Sequence, residues 1–183
     1  MRTTFSLALA AVGAALIAVL AQFTLPLGTV PLTLQNFAIG LVATIFHRRE
    51  AVWAVGLYLL LGAIGLPVFA GGAAGFHVLT GPTAGYLWFD LAYAAVTSSL
   101  TKPNSKLYQI FLANLLGATL TFLGGVLGLV FLTSGATSLA QAFTVGVVPF
   151  ILPDLLKIVL ICLVSLPIFR ALKNHSYFSS SKV

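Results

Sequence analysis

The chain has 183 residues, of which 60% are hydrophobic and 7% are charged, and its mean hydropathy is +1.10. Soluble globular domains carry about 25% charged residues, so this composition excludes a soluble domain. It predicts one all-α, polytopic membrane domain over residues 1–183, surrounded by the lipid bilayer. A transmembrane β-barrel would alternate over segments of about 10 residues, whereas the apolar runs here are continuous. At roughly 30 residues for each helix and its loop, we predict six transmembrane helices.

The first predicted helix covers residues 4–25 and ends before Pro26. Its apolar stretch is longer than the core of about 7–15 residues in a signal peptide, so we expect it to be retained. Small residues recur along it every four positions, at Ala10, Ala14 and Ala18, and this spacing lets helices approach closely in lipid. The partner of this alanine face is either another helix of this chain or a helix of a separate subunit.

Irregular segments separate the next two helices. The sequence PLGTVPLT, with a glycine and two prolines, predicts a non-helical excursion before helix two, which begins near residue 34 and ends at residues 47–50. Helix three covers residues 51–66 and is followed by the glycine-rich break PVFAGGAAGFHVLTGPTAG. This break is either an ordinary external loop or the lid of a ligand pocket. Its length and its aromatic residues favour the lid.

Three more helices complete the pattern. Helix four covers residues 85–100, helix five covers residues 107–132 and precedes the turn TSGATS, and helix six covers residues 140–172. Prolines interrupt helix six at Pro149 and Pro153, and again at Pro167, because proline lacks a backbone N–H.

The net charge of +6 could be taken for a nucleic-acid signal, but its distribution indicates a membrane topology instead. The basic residues outside the apolar runs lie at the chain ends and at two turns: Arg2, Arg48, Arg49, Lys102, Lys106, Arg170, Lys173 and Lys182. With six helices they all fall on one side, and the loops of the other side contain neither Lys nor Arg. Because basic loops stay in the cytoplasm, we predict cytoplasmic termini and no nucleic-acid partner.

Asp154 and Lys157 are the most informative residues, because both lie within an apolar run long enough to cross a bilayer. Ionised groups at membrane depth usually mark a functional site. On a helix, the i,i+3 spacing puts them on one face, with Cβ atoms roughly 5–6 Å apart. They therefore form either a site for a ligand with donors and acceptors, or a structural ion pair that locks two helices together.

Other intramembrane polar residues are few. Gln35 and Asn114 are candidates for hydrogen bonds between helices. Asp90 follows Tyr86 by four residues, on the same face of helix four, and is also a candidate structural partner of Lys157.

Catalytic and metal-binding motifs are missing from the sequence. The histidines, His47, His77 and His175, lack ligand spacing, so we expect no metal. The absence of a phosphate-binding loop predicts that this chain does not hydrolyse ATP itself. We expect neither a cofactor nor an enzymatic activity.

Four segments resemble one transporter family: VPLTLQNFA, GLPVFAGGAAG, LTGPTAGYL and PDLLK. Together they resemble the BioY family, the biotin-specific S components of energy-coupling factor transporters, over nearly the whole chain. The resemblance implies a six-helix subunit of the cell membrane that captures biotin from outside. It also implies that a separate transmembrane coupling protein and two ATP-binding-cassette ATPases drive the transport.

The resemblance also implies roles for individual residues. Asp154 is expected to accept hydrogen bonds from the ring N–H groups of biotin, and Lys157 to donate to its carbonyl or its carboxylate. The other implied substrate-binding residues are Gln35, Phe69, Gly71, Gly72, His77, Thr83, Gly85, Tyr86 and Asp90. Leu87 departs from the family pattern, in which many members carry an arginine that meets the substrate carboxylate.

The alanine face at Ala10, Ala14 and Ala18 resembles the surface by which such subunits dock onto the coupling protein. Other functions stay open at this point: an intramembrane enzyme that uses Asp90 and Asp154, a subunit for a related water-soluble vitamin, and a structural or assembly subunit.

Overall fold

The structure of the protein, a computed structural model, describes residues 2–133, 137–172 and 177. Part of the predicted TSGATS turn and the residues Lys173, His175 and Lys182 lie outside the described residues. The helices are α1 (Arg2–Ala21), α2 (Gln35–Ile45), α3 (Arg48–Ala63), α4 (Ala84–Leu100), α5 (Leu107–Phe131), α6 (Leu139–Gly146) and α7 (Ile151–Leu172). The prediction of an all-α membrane protein is confirmed.

The predicted excursion after helix one is a short hairpin. α1 ends at Ala21, before the predicted residue 25, because the chain becomes extended ahead of Pro26. Strand β1 (Thr24–Leu25) pairs in antiparallel register with β2 (Leu32–Thr33). Gly28, in the loop between the strands, has φ 89°, a backbone conformation that favours glycine.

The sixth predicted helix is broken into two. α6 ends at Gly146, a 3-10 turn covers Val148–Phe150, and α7 then begins. Pro149 accounts for the break because its ring and missing N–H are incompatible with a continuous helix. Pro153 is tolerated in the first turn of α7, where N–H groups have no acceptor within the helix. The predicted interruption at Pro167 does not end α7.

Within the described residues, three helical segments are long and apolar enough to cross a membrane: Thr4–Ala21, Leu107–Phe131 and Leu139–Ala171. Their windows reach mean hydropathies of 2.3, 1.9 and 2.4. α2 has 11 residues, fewer than the ~20 of a spanning helix. The number of six spans and the cytoplasmic location of the termini stay predictions.

The main core joins the inner faces of α1, α2, α3 and α4. Ala10 and Ala14 are buried, and Ala14 packs in the same cluster as Ala54 and Tyr58 of α3. The prediction that Ala10, Ala14 and Ala18 form a docking surface is therefore corrected, because this face packs inside the chain. A second row of small residues on α1, Ala11 and Ala15, also has four-residue spacing, and this row is exposed.

α4 and α5 are in direct backbone contact at a glycine seam. A Cβ atom added to Gly85 would overlap the backbone of Gly124, and one added to Gly128 would lie 3.1 Å from the carbonyl oxygen of Pro82. Close approach of this kind requires residues without side chains, since packing drives helix association in lipid.

A polar cluster joins both ends of the described chain. Glu50 is buried and accepts hydrogen bonds from Ser6 Oγ at 2.7 Å and from Tyr177 Oη at 3.3 Å. The Tyr177 ring stacks on His47, with ring centroids 4.2 Å apart. Burial raises the pKa of the Tyr177 hydroxyl above its ordinary value, which keeps the donated proton on oxygen. The start of α1, the α2–α3 turn and Tyr177 thus lie at one end of the bundle.

The two basic turns lie at this same end. Thr101, just after α4, donates a hydrogen bond to the carbonyl oxygen of Thr44 in α2 at 3.1 Å. The C-terminal ends of α2 and α4 are therefore neighbours, and the basic turns at residues 47–50 and 101–106 follow directly from them. This clustering agrees with the one-sided charge distribution of the sequence.

Candidate functional site

A cavity of about 220 Å³ lies at the opposite end of the bundle from the basic turns. Its walls come from the β1–β2 hairpin, from the glycine-rich segment (the glycine-rich break at residues 67–85) and from helices α2, α4, α5 and α7. The lining residues are Val30, Pro31, Leu32, Thr33, Gln35, Asn36, Phe69, Ala70, Ala73, Val78, Thr83, Tyr86, Leu87, Phe122, Phe150, Asp154 and Lys157. The ionic residues are buried, whereas most lining residues from the hairpin and the glycine-rich segment are half-buried.

Asp154 and Lys157 form an ion pair in the cavity wall. Lys157 Nζ lies 2.7 Å from Asp154 Oδ1, and the two residues are only 8% and 5% exposed. Asn36 Nδ2 donates to the second carboxylate oxygen of Asp154 at 3.4 Å. Asp154 lies in the first turn of α7, where the helix dipole stabilises a negative charge. Because both charges belong to α7, the pair does not lock two helices together.

A second polar network fixes the side chain of Gln35. Gln35 Nε2 donates to Asp90 Oδ2 at 2.9 Å, and Tyr58 Oη donates to Gln35 Oε1 at 3.0 Å. Thr121 Oγ1 donates to the other oxygen of Asp90 at 3.0 Å. The hypothesis that Asp90 is the structural partner of Lys157 is wrong, because Lys157 pairs with Asp154. The amide of Gln35 instead has its orientation set by groups on three other helices.

Aromatic side chains form much of the remaining wall. Tyr86 Oη donates to the carbonyl oxygen of Gly146 at 2.7 Å, which ties α4 to the end of α6. Phe69 is buried and packs edge-on against Tyr58, with ring centroids 5.5 Å apart. Thr83, at the start of α4, completes this side. An apolar wall with few polar groups is typical of small-molecule sites.

Six of the predicted substrate-binding residues line this cavity: Gln35, Phe69, Thr83, Tyr86, Asp154 and Lys157. The other five are outside the lining set: Gly71, Gly72, His77, Gly85 and Asp90. Gly71 and Gly72 have φ 64° and 81° and shape the turn that presents Ala70 and Ala73 to the cavity. His77 is exposed, Gly85 belongs to the α4–α5 seam, and Asp90 lies behind Gln35.

Several lining residues were not identified from the sequence. Asn36 is polar, adjoins Gln35 and begins an apolar helix, so the rule that pointed to Gln35 also applies to it. Phe122, Phe150 and Val30 carry no comparable signal, because an apolar side chain in a membrane protein is equally suited to lipid, core or cavity.

The described structure also has a larger apolar groove, of about 770 Å³, between α5, α6 and α7. Leu123, Phe143 and Ile151 are among its lining residues, and all three are exposed at the outer surface. Its lining is almost wholly apolar, which suits contact with lipid. We favour the smaller cavity as the ligand site because polar groups from α2 and α7 converge on it.

No group of three or more His, Cys, Asp or Glu residues with the geometry of a metal site occurs in the part of the chain that the structure describes. The polar groups that line the cavity are hydrogen-bonding groups. The cavity offers carboxylate and amide acceptors, an ammonium donor and an apolar wall, which together suit a small, partly polar guest.

The fold and this cavity define a helical membrane protein with an internal, partly polar cavity. A sequence model of the BioY family matches residues 1–174, and the chain belongs to that family.

Curated relatives agree with this assignment. The chain is 42% identical over 178 residues to biotin transporter BioY2 of Lactococcus lactis subsp. cremoris, covering 96% of this chain and 97% of that protein. It is 38% identical over 152 residues to biotin transporter BioY of Thermotoga maritima, covering 83% and 88%.

A solved structure shares the fold. The crystal structure of the S-component for biotin from an ECF-type ABC transporter superposes with a TM-score of 0.85 at 26% identity. The match covers 100% of this chain and 97% of that one.

Proposed function

We propose that this chain is the biotin-capturing membrane subunit of an uptake transporter in the plasma membrane. The observation that carries the proposal is the buried Asp154–Lys157 pair, which lines an internal cavity in a chain of the BioY family. The ureido ring of biotin has two N–H donors and one carbonyl acceptor. Asp154 and Asn36 supply acceptor oxygens for the N–H groups, and Lys157 supplies a donor for the carbonyl.

The remaining cavity wall suits the apolar parts of biotin. Phe69, Tyr86 and Leu87 provide surface for the bicycle and its aliphatic chain. Gln35 adds an amide at the same buried end of the cavity, in an orientation that Tyr58 and Asp90 hold. These two hydrogen bonds fix the Gln35 side chain, so little of its rotamer freedom is left to lose on binding.

Binding by the purified, full-length chain in detergent tests the proposal. Labelled biotin should bind saturably at one site per chain, and unlabelled biotin should displace it. Thiamine, riboflavin and folate, which lack a fused cyclic urea, should not displace it at a thousandfold excess. Displacement by one of these vitamins at concentrations where unlabelled biotin has no effect would assign the cavity to another ligand.

The proposal includes separate energy-coupling partners. Membership of the BioY family implies a separate transmembrane coupling protein and two ATP-binding-cassette ATPases, and the lack of a phosphate-binding loop in this sequence agrees with that division of roles. Co-expression with these subunits should give ATP-driven biotin uptake. Replacing the phosphate-loop lysine of the ATPase subunits should abolish that uptake. If uptake is unchanged when these subunits are absent, this chain does not need such an assembly for transport.

We also infer that the chain binds biotin without altering it. The acid-pair enzyme hypothesis requires Asp90 and Asp154 to face one ligand, whereas Asp90 lies behind Gln35 and outside the cavity lining. Mass spectrometry of biotin recovered after prolonged incubation should give an unchanged mass. A modified product that depends on Asp154 would support the enzyme instead.

A further inference from the structure

We propose that this cavity recognises the ring of its ligand and does not read the charge of the tail, so that tail amides and esters of biotin bind about as well as biotin. This inference rests on the function proposed above and extends the substrate class to biotin derivatives with an uncharged tail. It follows from the charges that line the cavity and from where the other charges of the chain lie.

The cavity has one cation, and that cation is already paired. Among the lining residues that the structure describes, Lys157 is the single Lys or Arg. Its ammonium lies 2.7 Å from the carboxylate of Asp154. A ligand carboxylate at this end would bring a second negative charge to one ammonium, in a place where water does not screen the repulsion.

A further acid lies behind this end of the cavity. Asp90 accepts hydrogen bonds from Gln35 and Thr121, which are neutral donors. One N–H of the Gln35 amide is thereby committed to a carboxylate and is not offered to the ligand. The polar end of the cavity thus holds one acidic and one basic side chain that already pair with each other, and a second acid lies behind the Gln35 amide. This arrangement favours a neutral group with N–H donors over an anion.

The other described lysine and arginine side chains lie at the far end of the bundle. The turns at residues 47–50 and 101–106 follow the C-terminal ends of α2 and α4, whereas the cavity lies at the N-terminal ends of these helices. Arg170 likewise lies near the C-terminal end of α7, about 24 Å along the helix from Asp154 at ~1.5 Å per residue. None of these groups is within reach of a ligand in the cavity.

The wall along which the tail must run is uncharged. Leu87, buried at 7% exposure, lies in this wall beside Tyr86. Beyond it the lining residues come from the hairpin and the glycine-rich segment, such as Leu32, Ala73 and Val78, and are half-buried. If the ring lies at Asp154 and Lys157, the tail points to this half-buried end. A tail carboxylate stays hydrated there and gains no ionic partner. A tail amide or ester should therefore bind with a similar free energy.

Competition binding tests this inference on the wild-type, full-length chain in detergent. Labelled biotin is displaced with biotin, biotinamide, biotin methyl ester and pentanoic acid, the last of which carries the charged tail without the ring. We expect the amide and the ester to displace within tenfold of biotin, and pentanoic acid not to displace. If both neutral derivatives bind more than tenfold more weakly, the inference is overturned. If labelled biotin does not bind at all, the proposed function itself fails.

A substitution in the wall provides a second, independent measurement. Leu87→Arg places a cation beside the tail, so the preference for biotin over biotinamide should rise at least tenfold. Leu87→Gln, which has similar reach without charge, should leave the preference at its wild-type value. An unchanged preference in an arginine variant that still binds biotin would overturn the placement of the tail along this wall.

Discussion

Removing the two charges of the cavity singly and together separates a ligand-binding role from a structural one. Lys157→Met leaves the Asp154 carboxylate 5% exposed, with Asn36 as a hydrogen-bond donor 3.4 Å away. An uncompensated buried charge of this kind lowers the free energy of unfolding by about 3–5 kcal/mol, whereas removing both partners is often neutral. Lys157→Met should therefore be destabilised, and Asp154→Asn/Lys157→Met should regain most of the wild-type stability.

Biotin binding should follow a different pattern from stability. A hydrogen bond to a charged group is worth about 1.5–3 kcal/mol, so loss of the ammonium and the carboxylate together should weaken binding by roughly 100-fold or more. The double variant should thus be stable and yet bind poorly. Lys102→Met, which removes an exposed lysine at the other end of the bundle, is the matched control and should change neither property.

The two properties are measured on the same detergent-purified samples. Heat-induced loss of helical circular dichroism gives stability, and equilibrium binding of labelled biotin gives affinity. A stable double variant with wild-type affinity would refute the reasoning, because the ion pair would then serve the fold alone. The same conclusion would follow if affinity fell only in proportion to stability across the three variants.

Three further substitutions test the packing of the helices and of the cavity wall. Gly85→Ala places a methyl group against the backbone of α5, so it should lower the free energy of unfolding by about 1–3 kcal/mol and lower the unfolding temperature. Gly56→Ala is the control, because a Cβ atom there meets nothing within 4 Å, and it should not lower the unfolding temperature. Tyr86→Phe removes one hydrogen bond to α6, worth about 1 kcal/mol, and should weaken biotin binding severalfold in the equilibrium assay while the ring contact remains. Ala14→Leu should destabilise the protein on heating because Ala14 is buried, whereas Ala15→Leu on the exposed row should not, and equal stability of the two would contradict the assigned core face.

Much of the fold was predictable because breaks in an apolar sequence are conspicuous. Proline and glycine marked the hairpin near Gly28 and the division of the last helix at Pro149, and basic residues marked the turns. The effect of Pro153 and Pro167 was not predictable in the same way. Whether a proline ends a helix depends on its position relative to the helix start and on what surrounds the freed carbonyl group.

The ionic part of the site was predictable, and its apolar part was not. Asp154, Lys157 and Gln35 are conspicuous because polar groups within membrane segments are rare. Phe122 and Phe150 reach the cavity only through the packing of α5 against the α6–α7 break, which no local pattern encodes.

The alanine face of α1 shows a related difficulty. Four-residue spacing identifies two small-residue rows, one with Ala10 and Ala14 and one with Ala11 and Ala15. The spacing does not predict which row faces the core, because both rows are equally apolar and contact with lipid is equally favourable for each. The burial of Ala10 and Ala14 was decided by the neighbours on α3.

The placement of both charges on one turn of α7 bears on how the cavity can open. The ammonium and the carboxylate are three residues apart on one helix, so their pairing does not depend on the position of the hairpin or of the glycine-rich segment. Asn36 on α2 is different, because its 3.4 Å contact with Asp154 spans two helices and stretches when they part. The Asn36–Asp154 hydrogen bond therefore depends on the distance between α2 and α7, whereas the Asp154–Lys157 ion pair does not.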